Sequence, residues 1–279
     1  MAAIQQQIYA APFDAVAEQY DATFTLSGIG LAQRRAVWKE LARTFRCGER
    51  TLEIGCGTGV DACFLASRGV RVVACDSSSQ MVAVTARRVQ EGGLQKFVHP
   101  ILLRAENLSA VAANPLFDGA FSNFGVLNCI ENLREFAGGL ARLLKPGASV
   151  VLCWMGRYCA WEMIWYFAEG KRDKAFRRLK RDGVTAKLAE GAFVHVQYPS
   201  VHELSRAFAP DFRLKSVKGI GVAVPPGYVE PWARRHPTLL RLCERADMVL
   251  GRFPVARIFA DHVLVRLERR EPSKEVREQ

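Results

Sequence analysis

Residues 51–59 read Thr-Leu-Glu-Ile-Gly-Cys-Gly-Thr-Gly, and they constrain this chain more than any other stretch. An apolar strand carries one acid, Glu53, into three glycines at alternate positions, Gly55, Gly57 and Gly59. An amphipathic segment from Val60 to Arg68, patterned as a helix, follows. Glycine there lets backbone approach a ligand closely and adopt angles that a Cβ forbids. The helix directs its N-terminal amides back at the turn, which suits a carboxylate or phosphate. Such a turn alone is shared by several nucleotide-binding families, and the acid two residues ahead of it narrows the choice.

Strand-like and helix-like patterns then alternate, as in a parallel sheet covered by helices. The spacing predicts a helix over Leu31–Phe45, strand Thr51–Gly55, helix Val60–Arg68, strand Val70–Asp76 and a helix from Ser79 to about Gln90. Further strands are expected near Phe97–Leu103 and Phe117–Asn123, followed by helix Leu133–Leu144. Lys145-Pro146-Gly147 should stop that helix ahead of a strand at Ser149–Trp154. The alternation breaks from Gly156 to Tyr198, first aromatic and then basic, and returns with helix Val201–Phe208 and a strand near Phe212–Val217. A second break, Pro225 to about Pro254, holds a helical stretch at Leu239–Leu250, and the last strand is expected at Ile258–Leu267.

The 279 residues carry a net charge of +11, unevenly spread: +2 over 1–156, +4 over 157–195 and +5 over 196–279. Such a basic half suits nucleic acid, anionic lipid or an acidic substrate, or is simply a basic surface. The eight cysteines include no C-x-x-C pair, which argues against structural zinc and for a reduced, cytoplasmic setting. No apolar run is long enough to span a bilayer, and residues 1–11 lack the pattern of a secretory signal.

The E-x-G-x-G-x-G turn resembles motif I of the class I S-adenosylmethionine (SAM) methyltransferases, and ordered motifs extend the resemblance over about residues 31–155. Asp76 ends the second strand, where the family binds both ribose hydroxyls, and Ser77 and Met81 follow where it packs the adenine. Ala105-Glu106-Asn107 is similar to the acidic loop at the adenine edge, and Phe117–Phe124 to the fourth strand, which places Asn123 and Phe124 near the reacting methyl. Gly55, Cys56, Gly57 and Gly59 would hold the methionine portion, and Glu53 would organise the loop and reach its ammonium. Phe13–Asp21 resembles a segment that folds over the cofactor in small-molecule members, including quinone-biosynthesis types, and makes Tyr20 a cleft candidate.

The resemblance implies an α/β, Rossmann-like, mostly parallel seven-stranded sheet with helices on both faces and an inserted helical cap. Its parts are residues 1–155 (N-terminal segment and SAM-binding core), 156–198 (aromatic and basic cap), 199–224 (core continuation), 225–257 (second insertion) and 258–279 (last strand and charged tail). Gly57–Ala62 also satisfies the G-x-G-x-x-A of a dehydrogenase. That register leaves Glu53, Glu106 and the Lys145-Pro146-Gly147 turn unexplained.

SAM is then the implied cofactor, no metal is required, and the acceptor is expected to be a small molecule, apolar or lipid-linked. Where the acceptor must lose a proton, His195 and His202 are the histidine candidates, with Tyr158 and Glu131 as further choices. Trp161, Ile164, Trp165 and Ala168 have the spacing of one apolar helix face, expected to pack on the domain or line an acceptor pocket. The Lys171–Arg181 run is either a solvated face or a contact for an anionic membrane surface. RNA as acceptor lacks a recognisable binding module, and a protein that holds SAM without transferring methyl groups stays open, as does the oligomeric state.

Overall fold

The computed structural model describes residues 11–111 and 114–271. After a turn at Pro12–Val16 and a short helix α1 (Ala17–Tyr20), helix α2 (Gly28–Thr44) leads into the sheet. The core continues as β1 (Arg50–Ile54), α3 (Val60–Ala66), β2 (Arg71–Asp76), α4 (Ser79–Glu91), β3 (Val98–Leu102), β4 (Phe117–Ser122), α5 (Leu133–Leu143) and β5 (Leu144–Met155). The first insertion holds α6 (Ala160–Ala168), α7 (Arg172–Ala175) and a hairpin of β6 (Val184–Ala189) and β7 (Ala192–Val196). Helix α8 (Val201–Phe208), β8 (Phe212–Ile220), α9 (Glu230–Arg235), α10 (Pro237–Leu250) and β9 (His262–Arg269) complete the order.

Seven strands form one sheet in the order β3-β2-β1-β4-β5-β9-β8. β1 to β5 run parallel, and β9 is antiparallel to both β5 and β8. Side chains alternate between faces along each strand. Leu52, Ile54, Leu152 and Trp154 therefore pack with Phe136 and Leu140 of α5 and Phe208 of α8 on one face. Phe121, Val151 and Leu264 pack with Val37 and Leu41 of α2 and Leu65 of α3 on the other. The same alternation places Glu53, between Leu52 and Ile54, on the α2–α3 face. No helix of the described residues is long and apolar enough to cross a membrane.

Three expectations change. The first insertion is not wholly helical: its second half is the β6–β7 hairpin, which reverses at Gly191 with φ 73°. The hairpin packs against the Pro12–Val16 turn. Asn128 fastens it to the core, donating from Nδ2 to the Gln197 carbonyl (2.7 Å) and accepting from the Met155 amide (2.8 Å). The last strand starts at His262, because Ile258 lies in a turn, Ala256–Phe259, that crosses closely over Gly219.

The aromatic face expected on α6 is also not its buried face. Ile164 is 70% exposed, whereas Glu162 is buried. Glu162 accepts from Arg177 Nε (2.6 Å) and Arg178 Nε (3.0 Å), and Arg178 Nη2 also reaches Asp261 Oδ1 (2.7 Å). A buried carboxylate must be paired, so this ion cluster sets the rotation of α6. It also turns two arginines of the basic run inward. Burial alone would lower the Arg178 guanidinium, but Asp261 above all, with Glu162, holds it above its usual range.

Candidate functional site

The three glycines of the turn do different things. A Cβ on Gly55 would fall 2.2 Å from Val126 Cγ2, and one on Gly59 would fall 2.6 Å from Thr85 Cγ2. These two let the loop nest against its neighbours. Gly57, at φ 53°, would meet nothing within 4 Å, so here the bare backbone faces open space. The Gly57 amide donates to Asp76 Oδ2 (2.8 Å) and the Ser78 amide to Asp76 Oδ1 (2.9 Å). Each oxygen keeps a further lone pair for a hydroxyl donor. Burial pushes the Asp76 carboxyl up, against these backbone bonds.

Glu53 stands behind the turn, buried, with Oε2 lacking any hydrogen-bond partner. Burial and then the Asp61 carboxylate push it well above the usual carboxylate range, against Arg34. Asp61, in the first turn of α3, accepts on Oδ1 from Arg34 Nη1 (2.6 Å) and Trp38 Nε1 (2.7 Å), and on Oδ2 from Asn123 Nδ2 (2.9 Å). Asn123 Oδ1 and Arg34 Nε are further buried atoms without partners. Phe124, held at φ 54°, has the Arg34 guanidinium 4.7 Å from its ring centre and the His262 ring edge-on at 5.4 Å. A non-glycine residue in that backbone region is unusual and tends to mark a functional position.

The N-terminal segment crosses this end of the sheet. Asp14 Oδ1 accepts from Ser78 Oγ (2.5 Å), and Asp21 accepts from Thr58 Oγ1 (2.6 Å) and from Arg88. Tyr20, half-buried in that segment, lies within electrostatic reach of Arg34, Asp76 and Asp61, and burial raises its phenol. Glu53 and Asp61 thus share one guanidinium, Arg34, and Asp76 adds a third carboxylate held only by backbone amides. An acidic excess with orphaned acceptors beside an open glycine fits a ligand that carries positive charge and hydroxyls, as SAM does with its sulfonium, ammonium and ribose.

The structure gathers Tyr20, Glu53, Gly55, Cys56, Gly57, Gly59, Asp76, Asn123 and Phe124 at this end. Cys56 is buried, its amide on the Cys75 carbonyl (2.9 Å), and Met81 is buried in α4. Ser77 is exposed beside Asp76. Ala105, Glu106 and Asn107 form a turn after β3 that adjoins Asp76, through the Leu103 amide on the Asp76 carbonyl (2.8 Å). Glu106 is exposed, with Arg104 Nε at 3.7 Å.

His195 and His202 do not join the set. His195 is exposed on β7, and His202 is exposed on α8, on the opposite face of the sheet from Glu53. His262 stands nearer, buried at the start of β9, its Nδ1 3.2 Å from Asp261 Oδ2 but outside hydrogen-bonding alignment. Sequence reasoning also missed Arg34, Trp38 and Asp61. Asp61 left a trace, an acid in the first turn of a helix that begins at a glycine turn. Arg34 and Trp38, four residues apart on α2, share a helix face with core residues and left none.

Residues 51–147 match the family model described as a methyltransferase domain. A demethylmenaquinone methyltransferase from Clavibacter sepedonicus is 36% identical over 143 residues, covering 51% of this chain and 56% of that protein. The chain thus spans little more than half the length of the curated relatives it matches. In fold it is similar to the CcbJ methyltransferase from Streptomyces caelestis, with TM-score 0.61, 17% identity and coverage of 94% of this chain and 99% of that one. It is also similar to geranyl diphosphate C-methyltransferase from Streptomyces coelicolor A3(2), solved with Mg2+, geranyl diphosphate and S-adenosyl-L-homocysteine. That likeness has TM-score 0.54 and 16% identity, and covers 84% of this chain and 77% of the other. Residues 51–147 thus form a methyltransferase domain, and the glycine turn and seven-stranded sheet around them have the fold of SAM-dependent methyltransferases.

Proposed function

We propose that this protein transfers a methyl group from SAM to a small, apolar or lipid-linked acceptor. The observation that carries the reading is the glycine turn, where the Gly57 and Ser78 amides hold Asp76 beside open backbone and Glu53 Oε2 and Asn123 Oδ1 stay buried and unpartnered at the same end of the sheet. The relatives named for demethylmenaquinone and geranyl diphosphate support an apolar acceptor.

SAM supplies an activated methyl group on a sulfonium, open to in-line displacement. The chain's own residues then bind, orient and exclude water. Asp76 takes the ribose hydroxyls, Ser77, Met81 and the Ala105–Asn107 turn surround the adenine, and Glu53 with Asn123 faces the cationic end. Tyr20 and the segment around it close the cleft from above. Phe124 presents its ring at the carboxyl ends of β4 and β5, where open α/β sheets bind ligands. In this reading His262, buried with its ring edge-on to Phe124, takes the proton from an acceptor hydroxyl or activated carbon, in place of His195 or His202.

Purified protein incubated with methyl-labelled SAM should pass label to a lipid extract or small-metabolite extract. Transfer to RNA alone would replace this reading with RNA methylation. SAM binding with no transfer to any pool would replace it with a protein that only holds SAM.

A further inference from the structure

Helix α10 packs on α2 through one side only. Leu240 is buried with Ile29, Val229 and Ala233, and Asp247 is buried as the acceptor for the Gly221 and Ala223 amides (2.6 and 2.5 Å). On another side, Leu239, Leu242 and Val249 stand at i, i+3 and i+10, which at 3.6 residues per turn is one stripe. All three are exposed, at 44%, 59% and 57%. Exposed apolar residues continue at Leu250, which ends the helix, and beyond it at Phe253 (55%), Val255 (71%), Ile258 and Phe259. The Phe259 ring meets exposed Tyr158 of the first insertion at 6.4 Å. Isolated exposed apolar residues are ordinary, but a continuous run of large ones marks a contact surface.

Arginines border this stripe. Arg241, Arg245 and Arg252 are exposed and have no side-chain partner among the described residues. On a helical projection Arg241 and Arg245 fall together, next to Leu242 and Val249 and away from the buried side, and Arg252 follows in the turn past the helix end. An apolar strip with aromatic ends and unpaired guanidinium groups along one margin complements an anionic bilayer surface: apolar groups enter the acyl boundary while the cations stay at the headgroups. A second copy of the chain is a poorer match, because a two-fold contact on this strip brings arginine margins toward arginine margins.

We infer that α10 and the 248–259 turn seat this protein on an anionic lipid surface. The surface lies in the second insertion rather than in the Lys171–Arg181 run, whose Arg177 and Arg178 are turned inward onto Glu162. The inference stands independently of whether a methyl group is transferred.

The test is sedimentation of the full chain with phosphatidylcholine vesicles, with and without phosphatidylglycerol. The wild type should sediment with the anionic vesicles, bind the neutral ones weakly, and be released by salt. Replacing the three arginines (Arg241→Gln, Arg245→Gln, Arg252→Gln) should lower partitioning about a hundredfold, on the order of fivefold for each charge. The Leu242→Glu, Val249→Glu double variant should lose binding while its circular dichroism and SAM affinity match the wild type. The inference fails if wild-type protein stays in the supernatant with anionic vesicles, or if the double variant binds them as the wild type does. It also fails if sedimentation velocity shows a wild-type dimer that the double variant converts to monomer, since a second copy would then cover the strip.

Discussion

The buried charge cluster of the cap and the one at the glycine turn are built in opposite ways. In the cap, Arg178 spends its donors on Glu162, on Asp261 and on the Gly156 and Asp261 carbonyls, and Gln33 Nε2 closes Asp261 Oδ2 at 3.1 Å. Charge and hydrogen bonding there are close to complete. At the glycine turn, Glu53 and Asp61 share one guanidinium, Asp76 has only backbone amides, and Glu53, Asn123 and Arg34 each keep a buried atom without a partner. A completed cluster holds two pieces of chain together. An incomplete one, kept at a cost in desolvation, is a place where something else must bind. The cap cluster is therefore read as architecture and the other as a cation site, and removing one member of each separates the two.

The largest expected effect is in the cap. Arg178→Met removes the guanidinium that Glu162 and Asp261 share, leaving Arg177 on the one and Gln33 on the other, which costs about 3 kcal/mol. Asp261, now held far below the usual carboxylate range against its burial by His262 and Arg178, would lose the second of those partners. Urea unfolding measures the loss, and the milder Glu162→Gln gives a second reading where the first variant does not fold. SAM affinity per folded molecule should be unchanged in either. A cost below 1 kcal/mol for both would undo the architectural reading.

Asp76→Ala should act on binding as well as stability. It removes the acceptor for ribose hydroxyls, and hydrogen bonds to charged groups are worth about 1.5–3 kcal/mol each, so SAM affinity should fall at least thirtyfold. Titration calorimetry reads the affinity and urea unfolding the stability, which should fall by about 1–3 kcal/mol as the Gly57 and Ser78 amides lose their acceptor. Unchanged affinity would refute the ribose assignment.

Glu53→Gln tests the cation itself. A raised carboxyl gives stability that is fully present below the ordinary carboxylate pKa and is lost as pH climbs through its raised folded value. Ligand-free wild type should therefore lose thermal stability as pH rises through that window, and the glutamine variant should lose less. A cation seated against Glu53 favours the ionised form, so SAM binding should release protons, seen as a binding enthalpy that depends on the buffer. In Glu53→Gln that dependence should shrink and affinity should drop about tenfold, the equivalent of one charged hydrogen bond. An unaltered buffer dependence would move the proton release to another group.

The two clusters were unequally legible in the sequence. Glu53, Gly57 and Asp76 could be read because a glycine turn between strand and helix is local, with its spacing fixed by a few residues of backbone geometry. Seven strands followed for the same reason, each bounded by its own punctuation. The cap cluster joins residues 162, 178 and 261 across nearly a hundred positions, and no local period records such a contact. The apolar spacing of α6 pointed to the wrong face, because pairing Glu162 outweighed burying Ile164. His262 was hidden by a strand start set four residues early, which placed it inside a strand instead of at the strand's mouth.

The smallest effect expected concerns the segment that crosses the cleft. Asp14 ties it to α4 by accepting from Ser78 Oγ and from the Gln80 amide (3.2 Å), and Glu18 adds an exposed pair with Arg87 at 2.5 Å. The exposed pair should contribute little, since screened surface ion pairs rarely exceed about 1 kcal/mol. Asp14 is half-buried and has two donors across the cleft besides the Ala11 amide (2.8 Å), so Asp14→Ala should weaken SAM binding by about fivefold, the loss of roughly 1 kcal/mol of hydrogen bonding. Glu18→Ala should leave it within twofold. The change should appear in the dissociation rate rather than the association rate, because a strap that closes after binding governs escape. Stopped-flow dissociation of SAM separates the two. Equal losses from Asp14→Ala and Glu18→Ala would mean that overall negative charge near the cleft, not the fixed position of the strap, retains the cation.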